Sequence, residues 1–92
     1  MPTAIVHIDA DVARIPEVAE QIASTPGVAE VYSVTGDTDI VALVRVKQHE
    51  DLASVIPDAI GKIPGVKRLR TYLAFREFSQ GDLDAAYNLG LD

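Results

Sequence analysis

The sequence predicts an α+β domain of ferredoxin-like βαββαβ type: a four-stranded antiparallel sheet with two helices on one face, dimerising through the sheet. Three observations point there. The tripeptide Pro26-Gly27-Val28 returns 38 residues later as Pro64-Gly65-Val66. At that offset apolar residues coincide: Val6 with Val44, Ile8 with Val46, Val18 with Ile56, Ile22 with Ile60, Val31 with Leu69. Each half also reads in the same order, as apolar strand, amphipathic helix, Pro-Gly turn and second strand, so one β-α-β unit is written twice.

Strand 1 is expected over residues 3–9, where Ala4, Val6 and Ile8 fall on one face and Ile5 and His7 on the other. Asp11 is suited to cap the following helix, and Pro16 is tolerated only within that helix's first turn. Ile15, Val18, Ala19, Ile22 and Ala23 recur at helical spacing and form one stripe. Thr25-Pro26-Gly27 stops the helix. Strand 2 is expected over 28–35, followed by a hairpin turn at Gly36-Asp37-Thr38-Asp39, since Gly and Asp tolerate the positive φ of tight turns. Strand 3, over 40–46, is apolar except for Arg45, the mark of a strand buried on both faces. Helix 2 is expected over 51–62 on the stripe Leu52, Val55, Ile56, Ala59, Ile60 and Ile63. Pro57 interrupts it, removes a backbone donor and is expected to kink or locally break it. Strand 4 starts at Val66 and is expected to reach Phe78. The domain then occupies 1–78, and 79–92 is a tail in which 82–87 fits a short docked helix.

The βαββαβ order implies the strand arrangement 4-1-3-2, with strands 1 and 3 central. Those are the two strands with apolar residues on both sides. Ile5, Val41 and Leu43, together with some of Leu69, Leu73 and Phe75, are therefore expected on the face without helices. A monomer would expose them as a large apolar patch, so a homo-oligomer, at least a dimer, is expected.

At 92 residues the chain has room for one core. Its net charge of −6 and lack of a basic tract argue against nucleic-acid binding by this chain alone. No apolar run approaches the roughly 18 residues of a membrane span. The opening Met1-Pro2-Thr3-Ala4-Ile5 lacks the basic region of a secretory signal, so a cytoplasmic location is expected. Without cysteine there is no disulfide, thiol nucleophile or Cys-ligated zinc. The serines are isolated, with neither a nucleophile elbow nor a Gly-rich phosphate loop. No catalytic residue or cofactor is assigned, and an enzyme is not expected.

The sharpest local feature is the hairpin. Its commonest role is that of a bare turn, but two carboxylates beside exposed amides suit the ammonium and carboxylate of a small zwitterion. His7 and Asp9 share a strand face yet are too few for a metal site, so His7 reads as a strand-end histidine near solvent, and His49 as a surface residue. Lys67, Arg68, Arg70 and Arg76 make strand 4 basic. Charge protects an edge strand from aggregation; the alternative is an arginine that meets a ligand carboxylate or an acidic neighbour across an interface.

Val34-Thr35-Gly36-Asp37-Thr38-Asp39 leading into Ile40-Val41-Ala42-Leu43-Val44-Arg45-Val46 resembles the effector-binding, or RAM, domain of the Lrp/AsnC transcriptional regulators. Ile63-Pro64-Gly65-Val66 and Arg70-Thr71 fit the same pattern, so that the resemblance covers about residues 3–78. It implies dimers paired through their sheets, assembly into higher oligomers such as octamers, and small effectors, usually amino acids, bound between dimers near the strand 2–3 hairpin. By the same resemblance the ligand-binding positions are Gly36, Asp37, Asp39 and Thr71. Thr38 departs from the family, which commonly has an aromatic residue there. The chain also begins directly at the first strand, so a stand-alone form without the DNA-binding helix-turn-helix is expected.

The resemblance thus implies an amino-acid-sensing regulatory domain whose partners are an effector, its own copies and a family member that reads DNA. Two other classes stay open. One is an assembly module that has lost its ligand and hetero-oligomerises with a full-length regulator. The other is a small ferredoxin-like enzyme, which would need a buried polar pocket in each subunit. The ACT amino-acid-binding domains share the topology and are a rival within the binding class.

Overall fold

Alternation is strict in β1 (Thr3–Ala10), where Ala4, Val6, Ile8 and Ala10 are buried and Thr3, Ile5, His7 and Asp9 lie half-buried on the other face. In β3 (Ile40–Arg45) the inward residues are Ile40, Ala42 and Val44. β1 pairs with β3 on one side and with β4 (Val66–Leu73) on the other, while β2 (Val28–Ser33) closes the far edge of β3. All pairs are antiparallel, and the order β2-β3-β1-β4 is the one expected. This computed structural model describes residues 1–78; the tail over 79–92, with the helix expected at 82–87, lies outside the described residues.

α1 (Ile15–Ala23) follows a single 3-10 turn at Val12–Arg14. The Asp11 carboxylate caps that turn by accepting the Ala13 N–H at 3.1 Å, and Pro16 stands in the first turn of α1, where its missing N–H costs nothing. Val18 and Ile22 are fully buried against the sheet, Ile15 and Ala19 partly so, while Ala23 is exposed. Each large aliphatic side chain removed from water contributes about 1.5–3 kcal/mol.

The second helix is shorter than expected. α2 spans only Asp51–Val55, and a 3-10 turn at Ile60–Lys62 completes the crossing to β4. Pro57 explains the break: in an unbroken helix its amide would bond the Ala53 carbonyl. Asp58 N–H takes that carbonyl instead at 3.2 Å, and Gly61 N–H reaches Ile56 at 2.8 Å, so the chain widens around the proline. The apolar stripe survives the detour, with Leu52, Val55, Ile56 and Ile60 buried and Ile63 packed against them.

β2 ends at Ser33 rather than at 35, and β4 at Leu73 rather than at Phe78. The larger correction is the facing of β4. Leu69 and Leu73 stand opposite Ile8 and Ala4, on the helix-bearing side, and Leu69 packs on the core. The cause is a register shift between Asp9 and Ala10, which pairs Val66 with Ala10 but Arg68 with Asp9. Val66 and Leu69 thereby both face inward, and Arg70 and Tyr72 take the helix-free face. Phe75 lies beyond the strand and is fully exposed.

The two repeats interlock at their Pro-Gly turns. Gly27 has φ +97°, and a β carbon there would lie 2.8 Å from Val55 Cγ2. Gly65 has φ +102°, and its β carbon would lie 2.9 Å from Val18 Cγ2. Each turn thus seats under the helix of the other repeat, in a space and a conformation that admit only glycine.

Candidate functional site

Three places on the domain bear on function: the helix-free face, the hairpin and the groove beside Thr71. Pairing fixes the layout of the face. One row across the sheet reads Tyr32, Val41, His7, Arg70, and the next reads Glu30, Leu43, Ile5, Tyr72. The four central residues, Val41, Leu43, Ile5 and His7, stand half-buried with no helix above them. Tyr32 and Tyr72 flank the block at 52% and 51% exposure, and Arg45, Arg68, Asp9 and Glu30 lie around it. His7 is not at a strand end but in the middle of β1, with its ring edge-on to Tyr72 at a centroid distance of 5.1 Å.

Of the residues expected there, Ile5, Val41 and Leu43 are on this face; the sequence reading missed Tyr32, Tyr72 and the central place of His7. Strand alternation from Ile5 through His7 carried that last signal. Tyr32 donates to Glu30 Oε2 at 2.6 Å, and this bond, with the charge of Glu30 and slight desolvation, raises its phenol above the ordinary value.

At the hairpin, Gly36 (φ +124°) and Asp37 are exposed, with open space around Gly36. Asp39 is half-buried: its carboxylate accepts the Ala10 N–H at 2.9 Å, and its own N–H donates to the Ile8 carbonyl at 3.2 Å. Thr38 is 7% exposed and donates from Oγ1 to the same carbonyl at 3.3 Å, so its hydroxyl is held within the fold. Arg70 Nη2 stands 3.5 Å from both the Asp37 carbonyl and Asp9 Oδ1, and ties β1 and β4 to the hairpin. Among the described residues, Asp9 Oδ1 and Arg70 Nε are buried without a hydrogen-bond partner.

Thr71 is elsewhere. It pairs with Val6, is exposed at the β4 edge on the helix-bearing side, and lines a shallow groove of about 260 Å³ with His49, Leu52, Ile56, Pro57 and Leu73. Asp39 meets β1 at Ile8 and Ala10, two and four residues along from Val6, and from the side opposite β4. At about 3.3 Å per residue and about 4.8 Å between strands, Thr71 and the hairpin are roughly 12–16 Å apart. One small ligand cannot touch both within a subunit. A larger open depression, about 530 Å³, lies beside Gly27 and Val55 at the opposite end of the sheet from the hairpin. Among the described residues no group of three or more His, Asp or Glu is placed to hold a metal ion, and no helix is long and apolar enough to cross a membrane.

Comparison with known proteins fits this architecture. The HTH-type transcriptional regulator FL11 of Pyrococcus horikoshii is 36% identical over 73 residues, which cover 79% of this chain and 48% of that protein. The chain spans about half the length of the curated relatives it matches. The crystal structure of TTHA0845 from Thermus thermophilus superposes with a TM-score of 0.82 at 48% identity, over 87% of this chain and all of that one. A transcriptional regulator of Neisseria meningitidis, NMB0573, solved as a complex with L-Met, matches with a TM-score of 0.75 over 86% of this chain and 53% of that one. At 17% identity that likeness is one of fold. Residues 3–83 match the family described as the Lrp/AsnC ligand binding domain, and the chain belongs to that family.

Proposed function

We propose that this regulatory domain works as an assembly whose state reports a small effector, an amino acid in the first instance. Two copies pair through their helix-free faces. The observation that carries this is the block of Ile5, Val41, Leu43 and His7, half-buried with nothing above it and flanked by two tyrosines. Apolar surface of that kind is stabilised by exclusion from water, and a second copy presents a matching face. Arg45, Arg68 and Arg70 against Asp9 and Glu30 also spare this face the negative excess of the chain, whose net charge is −6.

The effector site is then built between subunits. Because the hairpin and Thr71 are too far apart to share one ligand within a subunit, and Thr71 lies on the helix-bearing side away from the paired faces, the hairpin of one pair meets the Thr71 groove of a neighbouring pair. Gly36 and Asp37 offer an open backbone and a carboxylate to the head group of an amino acid, and Leu52, Ile56 and Leu73 beside Thr71 offer an apolar wall to its side chain. The L-Met complex of the meningococcal protein supports an amino acid as the class to try first. An effector held across the contact shifts the assembly equilibrium by its differential affinity for the assembled state. The role is regulatory rather than enzymatic, in keeping with relatives named as transcriptional regulators.

The test is native mass on the purified chain at micromolar concentration, alone and with each common amino acid at millimolar concentration. A dimer or larger species, with a change in mass or melting temperature for at least one amino acid, is expected. A ligand at about 100 times its Kd stabilises by about 2.7 kcal/mol, worth several degrees in a domain of this size. A monomer that ignores every amino acid overturns the reading.

A further inference from the structure

We propose that pairing through the helix-free face is controlled by protonation of His7, an inference that rests on the reading that a second copy covers this face. The central block of that face contains three aliphatic residues and this one imidazole. The groups that face His7 can be named from the register. They are Val41 on β3 with Tyr32 of β2 beyond it, Ile5 and Asp9 on β1 itself, and Arg70 and Tyr72 on β4. Tyr72 presents its ring rather than an acceptor, at 5.1 Å between centroids. Asp9 is the nearest carboxylate on the strand, but it meets the Arg70 guanidinium at 3.5 Å, and the two charges largely cancel at His7. A proton taken up by His7 therefore adds a net positive charge to this part of the face, where the one carboxylate on the strand already offsets Arg70.

In a separate subunit water solvates that charge. Under a second copy the water is gone, and a two-fold pairing brings two such imidazoles into one interface. A neutral imidazole tolerates this; an imidazolium is penalised by desolvation. The sign follows. The paired state binds fewer protons than the separated subunits, so association is strong above the ordinary titration range of histidine and weakens as pH falls through it. With about a tenfold penalty for each of the two imidazoles, the dimer dissociation constant rises about a hundredfold between pH 7.5 and pH 5.0. The other histidine, His49, is exposed beside the Thr71 groove, off this face.

Sedimentation equilibrium on the full chain at pH 7.5 and pH 5.0 tests the proposal, with circular dichroism at both pH values to show that the subunit stays folded. The wild type is expected to be paired at pH 7.5 and to dissociate at pH 5.0. His7→Gln and His7→Phe, the second of which keeps an aromatic ring against Tyr72, are expected to remain paired at both. His49→Gln is expected to behave as the wild type. A dissociation constant that is the same at both pH values overturns the proposal and leaves the pairing intact. So does a wild-type pH response retained in a folded His7 variant. A wild type that stays monomeric at both pH values and all concentrations overturns the pairing itself.

Discussion

Asp39 holds the end of β1: its carboxylate accepts the Ala10 backbone N–H at 2.9 Å, on the side of β1 where β3 has already ended. With its own N–H on the Ile8 carbonyl, this residue prolongs the ladder past Ile40, the first residue of β3. The two hairpin carboxylates therefore do different work. Asp39 is committed to the fold, and Asp37 is exposed.

Asp39→Ala is expected to lower stability by about 1–3 kcal/mol, the cost of a lost charge-assisted hydrogen bond to a part-buried amide. Asp37→Ala is expected to stay within about 0.5 kcal/mol of wild type, as an exposed substitution does, while reducing the response to the effector. Urea unfolding with and without amino acid separates the two. Equal losses of stability would mean that Asp37 is also structural, and removal of both aspartates together would confuse ligand binding with folding.

Gly27→Ala is expected to destabilise by about 2–4 kcal/mol, from a left-handed conformation and from overpacking against Val55. Val55→Ala relieves the second cost but not the first. The double variant should therefore lose less than the two single variants added together, and a thermodynamic cycle from thermal melts measures the difference. Strict additivity would show that Gly27 and Val55 do not press on each other.

Val41→Asp is expected to abolish pairing while the subunit stays folded, since Val41 is half-buried and lies opposite the helices. Val6→Asp, one residue along β1 from the face that carries Ile5 and His7 but pointing into the core, is expected to unfold the domain. Native mass and circular dichroism distinguish the two outcomes. A paired Val41→Asp variant would place the interface elsewhere.

Tyr32 is expected to ionise above the ordinary phenol value near 10, because Glu30 accepts its hydroxyl proton and repels the phenolate. A raised value in the folded state means that the stabilisation is fully present below the unfolded value and is lost as pH climbs through the folded one. Absorbance at the phenolate band follows the three tyrosines of the chain, and Glu30→Gln should bring the latest of them down. An unchanged titration would mean that the hydrogen bond is absent in solution.

Much of this was legible in the sequence, and the parts that were not share a cause. The strict alternation of β1 and the doubly apolar β3 identify the central strands, because residues two apart share a face whatever else the chain does. The Pro-Gly-Val repeat identifies two copies of one unit, and glycine at both turns matches the positive φ found there. A turn about Gly36 was legible from its Gly and Asp content, but the connection runs over 34–39 and Gly36 alone takes a positive φ there, neither aspartate doing so. Pro57 announced a disturbance in helix 2, yet whether it bends or ends the helix depends on which carbonyls the next amides find.

The sequence by itself determined the order of the elements, the identity of the core strands and the presence of an uncovered apolar face. Those follow from local periodicity, which each segment carries alone. Only the tertiary structure decided that Leu69 faces the helices and Tyr72 the open side. It alone decided that Asp39 is spent on Ala10 and that Thr71 stands away from the hairpin. Each of these depends on strand register, and register is a property of two strands at once. A single shift between Asp9 and Ala10 turns the alternation of β4 over, and no residue of β4 read alone records it.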